Sequence, residues 1–355
     1  MRRKATRKIQ TVRIVYPDTG IGLENDARIV ASVLEGEGMR VERRAVPIEY
    51  GGSFVLRAAG RVFRLFGDSA GAALYRCLCA AVRPFSRDAV DLTVFLQRVF
   101  HTYVPSGRRS IVIPNPEWFN PDWAWHLRVV DAVACKTHHA VGLLARYARR
   151  IEFIGFASLD RDPDALSRVA PTETAATALW LHHASAGLQK GTQAVLAAWA
   201  RHPEWPTLTV LQHKNAPLGS DSANVRYIAR RLSEAEMVEY SRTHAVHLCP
   251  SESEGYGHSI VEAMSCAALV LTTDGAPMNE LVEPDRGVLV ATGLPRPDKL
   301  GIRFTIRTED VEAAVVRALA LGPEELYRLR VNARRYFDST LPQFSSRLLA
   351  LLTGL

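Results

Sequence analysis

Short apolar runs alternate with helical periodicities in two series along this chain, and a polar stretch without a period separates them. Residues 11–16 are β-branched and apolar, and Gly20 and Gly22 follow. Residues 24–34 have helical spacing, and Gly36 and Gly38 end that helix before a second run at 40–46. Strand, glycine loop, helix and strand in that order form a βαβ unit, whose strands pair in parallel beneath covering helices. Further strands are expected at 91–96, 110–113, 132–135 and 151–156. From 159 to 177 the chain turns polar, with Asp160, Asp162, Pro163, Asp164, Pro171 and Thr172, and this stretch reads as an interdomain linker. The same order then resumes, with strands at 178–182, 207–212, 245–249 and 268–272 and helices at 191–201, 234–242, 259–266 and 277–282. Residues 308–355 are almost wholly helical in pattern, broken by Gly322, Pro323 and Pro342. The expected fold is α/β, with two Rossmann-like doubly wound domains and a C-terminal helical segment. Ligands of such sheets sit beyond the carboxyl ends of the strands, and the cleft between two facing domains is the default site.

The length of 355 residues agrees with two domains, and 47% hydrophobic with 23% charged residues is ordinary for a globular chain. The net charge of +7 owes five units to Arg2, Arg3, Lys4, Arg7 and Lys8, which leaves +2 for everything after this tail and speaks against a nucleic-acid partner. The tail is followed by a short strand-like run instead of a signal-peptide core, and no run of about 18 apolar residues occurs. Five cysteines lack disulfide-framework spacing. A soluble, cytoplasmic chain is expected, with the inner face of a membrane as a further address.

Chemistry concentrates between 249 and 264, where Cys249-Pro250-Ser251-Glu252-Ser253-Glu254-Gly255-Tyr256-Gly257-His258-Ser259 leads from a buried strand into a helix. The two glycines allow a tight turn that leaves helix-start N–H groups facing outward, which suits an anion such as phosphate. Glu254 lies on the loop, and Glu262, eight residues later, lies in the helix's first turn. Carboxylates beside an anion site accept hydrogen bonds from neutral hydroxyls, as on sugars. The same residues, Ser259-x-x-Glu262, also fit a capping box that needs no ligand.

Residues 250–282, PSESEGYGHSIVEAMSCAALVLTTDGAPMNELV, resemble the signature of the retaining family 4 glycosyltransferases of the GT-B fold. Residues 181–199, LHHASAGLQKGTQAVLAAW, resemble that family's first C-terminal strand and the helix that a Lys-Gly pair opens, here Lys190-Gly191; residues 14–41 resemble its N-terminal strand, glycine loop and helix. The resemblance implies domains at 1–165 for the acceptor and 166–335 for a nucleoside diphosphate sugar donor, with a helix at 336–355 packing back on the first. It implies that Glu262 holds ribose hydroxyls, Glu254 holds hydroxyls of the transferred sugar, and amides around Gly257, His258 and Ser259 take the distal phosphate. Lys190 would neutralise the departing diphosphate, and Gly22 of the glycine loop counts with the donor site. The family needs no metal and no cofactor, and the sugar moves with retention, through front-face departure and attack.

Two departures from the family pattern stand out. Where a Gly-Arg pair supplies a second phosphate contact, this chain has Ala184-Ser185, so Ser185 occupies the place of a cation; His182, His183 and Lys214 are possible substitutes. In place of a histidine after the fourth strand stands Ile113-Pro114-Asn115-Pro116-Glu117-Trp118-Phe119. There Glu117, a candidate catalytic group, or Asn115 faces the acceptor with Trp118 as a stacking plate; alternatively Trp118 and Phe119 only pack the loop down. The acceptor itself is a sugar, a lipid-linked group or a protein. Neither His138-His139 nor His182-His183 has a third ligand at zinc spacing, and Cys77 and Cys79 read as core thiols. Residues 53–85 set Phe and Leu on one face and Arg on another, the pattern of a sheet-covering helix or of one lying on a membrane surface. The rival functions are a nucleotide-sugar epimerase or phosphorylase of the same fold and a degenerate, non-catalytic binder or scaffold.

Overall fold

The structure is a computed structural model, and it describes residues 8–47, 65–86, 88–184, 188–212 and 222–355. Contacts divide the chain into two compact units. The first runs to Gly155 and includes Lys299–Gly301 and Ser345–Leu355; the second comprises Phe156–Asp298 and Ile302–Phe344.

The first unit contains β1 (Thr11–Pro17), α1 (Ile21–Gly36), β2 (Arg40–Val46), α2 (Asp68–Val82), β3 (Val90–Gln97), β4 (Gly107–Pro114), β5 (Ala132–Cys135), α3 (His138–Leu144) and β6 (Ile151–Phe153). Its six strands lie in the order β2-β1-β3-β4-β5-β6 and all pair in parallel, for instance Val12 with Leu92 and Ile111 with Ala132. The inner strands are buried on both faces, which is why they read as near-continuous apolar runs. The edge strand β2 exposes Arg40, Arg43 and Arg44, charges that discourage further pairing. The run expected to reach 156 ends at Phe153 because Gly155 takes φ +65°, where the extended conformation cannot continue.

The second unit contains α4 (Ala165–Arg168), β7 (Trp180–His183), α5 (Thr192–Arg201), β8 (Leu208–Leu211), β9 (Val225–Ile228), α6 (Glu234–Thr243), β10 (Val246–Cys249), α7 (His258–Ser265), β11 (Leu269–Thr273), α8 (Met278–Leu281), β12 (Gly287–Val290) and α9 (Thr308–Leu319). A short ribbon, β13 (Arg296–Asp298) and β14 (Gly301–Arg303), and the long helix α10 (Pro323–Thr353) complete the chain. The second sheet runs β12-β11-β10-β7-β8-β9, again with parallel pairing throughout. Trp180, Trp199 and Trp205 meet edge to face in its core, with ring centroids 5.6 and 5.0 Å apart. The polar stretch after Leu159 is held down in this unit, because Arg334 of α10 donates to both carboxylate oxygens of Asp160 at 2.9 and 2.8 Å and to the Asp162 carbonyl at 2.7 Å. Its polarity therefore reflects ion pairing as well as solvent exposure, since Asp160, Asp164 and Thr172 are exposed while Asp162 is buried. All five cysteines are free, and Cys77 is exposed where a core position was expected, while Cys79 is buried.

In the first unit, Lys136 follows β5 and its Nζ lies 2.5 Å from Asp26 Oδ2 of α1, with the two side chains 2% and 3% exposed. A buried pair of this kind costs most when one partner is removed and the other keeps its charge. Asp26→Ala is expected to lower stability by about 3–5 kcal/mol, and Asp26→Leu with Lys136→Met to recover most of it. Urea unfolding checks this, and a single-variant loss below about 1 kcal/mol would contradict it.

Candidate active site

In the second sheet the strand order reverses between β7 and β10, which pair Trp180 with Val246 and His182 with Leu248. The loops leaving the carboxyl ends of these neighbours diverge around the place where doubly wound sheets bind ligands. Here they also touch: the Glu252 amide donates to the Gln189 carbonyl at 2.8 Å. Gly191 sits at φ +67°, and a Cβ there would collide with the Pro250 carbonyl oxygen. Only glycine meets both conditions, so the Lys-Gly pair is set by packing of one loop on the other. The result is that Lys190 Nζ forms an ion pair with Glu254 Oε1, the side chains being 24% and 14% exposed. Glu252 is fixed separately: Arg303 Nε donates to its carboxylate at 2.7 Å, and the Phe304 amide to its carbonyl at 2.8 Å.

Helix α7 starts just after Gly257, its N-cap, which takes φ +110° and offers no side-chain cap. The capping box anticipated at Ser259 and Glu262 does not form, because Ser259 is already the second helical residue and Glu262 lies in the second turn, not the first. A true box occurs at α6, where Ser233 and Glu236 exchange both bonds. In α7 the first helical bonds run from Ile260 and Val261 to the Gly257 carbonyl, so the His258 and Ser259 amides precede them at the positive end of the helix. His258 Nδ1 lies 2.7 Å from Ser158 Oγ, and its ring meets those of Tyr256 and Phe156 edge-on. Glu262 accepts from Arg161 Nη2 at 3.0 Å, and Arg161, 9% exposed, also pairs with Glu234. Ser158 and Arg161 were missed because the polar stretch hid them. A lone arginine among Asp160, Asp162 and Asp164 was the available signal, since nearby acids did not explain its own role.

The histidines proposed as substitute cations are structural. His182 is fully buried; its Nδ1 donates to the Leu248 carbonyl at 2.9 Å, so Nε2 accepts from Thr192 Oγ1 at 2.8 Å. Burial holds its pKa at about 4. His183 stacks on His247, and burial, then the neighbouring His247, push it well below the usual value. Both are neutral at pH 7 and supply no charge to a phosphate. Ser185 and Lys214 lie outside the described residues. Among the described residues no group of three or more His, Cys, Asp or Glu side chains is gathered as a metal site.

The first unit places Glu117 and Trp118 in a 3-10 turn, Pro116–Trp118, at the carboxyl end of β4, with Asn115 at its N-cap. Phe119 is fully buried and packs the loop, whereas Trp118 is 51% exposed with Lys299 Nζ 4.2 Å above its ring. The Glu117 side chain is buried, and a Cβ at Gly301 would lie 2.9 Å from its Cα. Gly22 is the second residue of α1 with open space around it; the glycine that the backbone requires is Gly20, at φ +120° before the helix.

Residues 166–300 match the family model of the glycosyl transferases group 1. No curated protein sequence matches the chain. Among solved structures, sucrose-phosphate synthase from Thermosynechococcus elongatus superposes with a TM-score of 0.62 at 14% identity, over 97% of this chain and 98% of that one. The Escherichia coli trehalose-6-phosphate structure with UDP-2-fluoro glucose bound gives 0.62 at 12% identity, over 98% and 99%. Anabaena HepE in complex with UDP and glucose gives 0.59 at 14%, over 96% and 99%. Identities this low carry the fold, two Rossmann-like α/β domains of GT-B type. The family match holds at the level of group 1.

The buried histidines make the second unit sensitive to acid. His182 at about 4 and His247 at about 3 are both depressed by burial from 6.5. The unfolded chain therefore takes up protons that the folded one refuses, so stability is full above pH 6.5 and falls as the pH drops toward 4. Urea midpoints are expected to decline already between pH 6.5 and about 5, above the carboxylate range. Midpoints that stay level across that window would contradict the assignment.

Proposed function

We propose, on the premise that residues 166–300 are a group 1 glycosyltransferase domain, that this protein is a retaining glycosyltransferase. It transfers a hexose-type sugar from a nucleoside diphosphate donor, held by the second unit, to an acceptor held by the first. The observation that carries this reading is the Lys190–Glu254 pair at the carboxyl ends of β7 and β10, ahead of the α7 N-terminus.

Breaking the sugar–phosphate bond moves negative charge onto the leaving diphosphate. Lys190 is placed to follow that charge, and the His258 and Ser259 amides, after Gly257, to accept the distal phosphate, so that stabilisation grows toward the transition state. Glu254, relieved of Lys190, accepts hydrogen bonds from sugar hydroxyls. Glu262, with one oxygen on Arg161, takes the ribose hydroxyls. Asn115 and Glu117 serve the acceptor, and Trp118 offers it an exposed ring. The acceptor is proposed to be a sugar, and uridine is the first base to test, since two structural neighbours were solved with uridine nucleotides. No cofactor or metal is assigned to the reaction.

A second reading, donor binding without transfer, has one observation in its favour. Ala184-Ser185 stands where the family pattern has Gly-Arg, and His182 and His183 are neutral.

Donor-dependent release of nucleotide with a panel of sugar acceptors tests both. Lys190→Ala, Glu254→Ala and Glu262→Ala are each expected to lower kcat/KM, with Lys190→Ala losing about 10²–10³-fold. Activity is expected to survive a chelator. Turnover like wild type in all three variants would overturn the assignment, and tight donor binding by calorimetry with no transfer would select the second reading.

A further inference from the structure

Among the described residues, helix α2 of the first unit is covered on one side only. Gly71, Ala72, Tyr75 and Cys79 are buried, and the Tyr75 ring meets Trp125 edge-on at 6.1 Å. On the outer side every exposed residue from 73 to 85 is Ala, Leu, Val, Phe, Pro or Cys. The large ones are Leu74 at 47%, Leu78 at 39%, Val82 at 41% and Phe85 at 84% exposure, and Leu65 and Phe66 just before the helix are 84% and 62% exposed. A helix that covers a sheet turns polar residues to solvent; this one turns apolar residues both ways. A continuous exposed apolar face signals a binding surface.

Charge selects what binds it. The stretch 53–87 holds six arginines against the single Asp68, a net +5. With the +5 of residues 1–8, it exceeds the +7 of the whole chain, so the other 312 residues carry a net −3. The sequence that flanks the apolar face is thus net positive, and Arg76 and Arg83 stand among the described residues of the face itself. A second copy of the chain docked through this face about a two-fold axis would bring Arg76 and Arg83 of both copies into one interface with only Asp68 of the stretch to offset them. A nucleic acid would gain nothing from the leucines and phenylalanines. An anionic bilayer surface satisfies both properties, because acyl chains take the apolar face while headgroups attract arginine. No described helix is long and apolar enough to cross a membrane, and α2, at 15 residues, has a length suited to lying in the interface.

We infer that the outer face of α2, from Leu74 to Phe85, docks the first unit on anionic lipid membranes. The inference stands apart from the proposed reaction, since no residue of the donor or acceptor sites lies on this face.

Cys77 is exposed in the middle of the face and the other four cysteines are buried, so an environment-sensitive fluorophore on Cys77 of the full chain reports on it directly. With vesicles of phosphatidylcholine and phosphatidylglycerol, blue-shifted emission and co-sedimentation are expected, both weakened by salt; phosphatidylcholine alone is expected to bind far less. Leu74→Asp with Phe85→Asp should weaken binding by about tenfold or more. Phe85→Ser, at a site exposed enough to leave folding untouched, should weaken it in the same direction with unchanged circular dichroism and nucleotide release. Failure to bind anionic vesicles, or equal binding by the variants, would overturn the inference. A blue shift that rises with protein concentration in the absence of lipid would also overturn it and identify a second copy as the partner.

Discussion

Gly191 lies so close to Pro250 that no other residue fits, and this single approach ties the two halves of the candidate donor site together. Strands β7 and β10 are neighbours, yet 62 residues separate the ends of β7 and the start of β10, and nothing local forces their loops to converge. The Gly191–Pro250 contact and the bond from Glu252 to Gln189 do so. A lysine placed just before the glycine then meets a glutamate placed on the loop that leaves β10. Position along the chain becomes position in space through one backbone contact, with the buried strands beneath it as a rigid base.

Much of this was legible beforehand because parallel strands buried on both faces leave an unmistakable record of apolar runs. Strands β1 to β5, β7, β8, β10 and β11 fall within three residues of their expected ends. Four strands were missed, the short ribbon β13–β14 and two strands of the second sheet, the latter for physical reasons. Strand β9 is four residues with one alternation, and β12 begins at Gly287, which marks close packing against Val270 and Val282 more than strand propensity. The site was legible in its motif residues and illegible in their partners. Arg161, Ser158 and Arg303 come from stretches with no period of their own, and pairing across more than 50 residues leaves no local trace. His182 and His183, which the sequence left open as substitute cations or packed side chains, take the packed role: a polar residue at a strand end suggests solvent, but hydrogen bonds to Leu248 and Thr192 let His182 be buried and neutral.

The electrostatics of the second unit share one pattern. Glu254 is paired with Lys190, Glu262 with Arg161 and Glu252 with Arg303. Each carboxylate near the α7 N-terminus is compensated before any ligand arrives, which removes the cost of leaving a partly buried charge alone.

That pattern bears on selectivity. On the proposed reading a diphosphate draws Lys190 away from Glu254, and the carboxylate so released needs new donors. A donor carrying a sugar supplies hydroxyl groups for Glu254 in the same step, whereas a bare nucleoside diphosphate leaves it without them. An unpaired, largely buried carboxylate is costly, so the pair favours the sugar-bearing donor over the product. On that reading, with no arginine in the sequence at 184–185 and with His182 and His183 neutral, discrimination among the described residues rests on this exchange between one lysine and one glutamate more heavily than it would in a site with a surplus of cations.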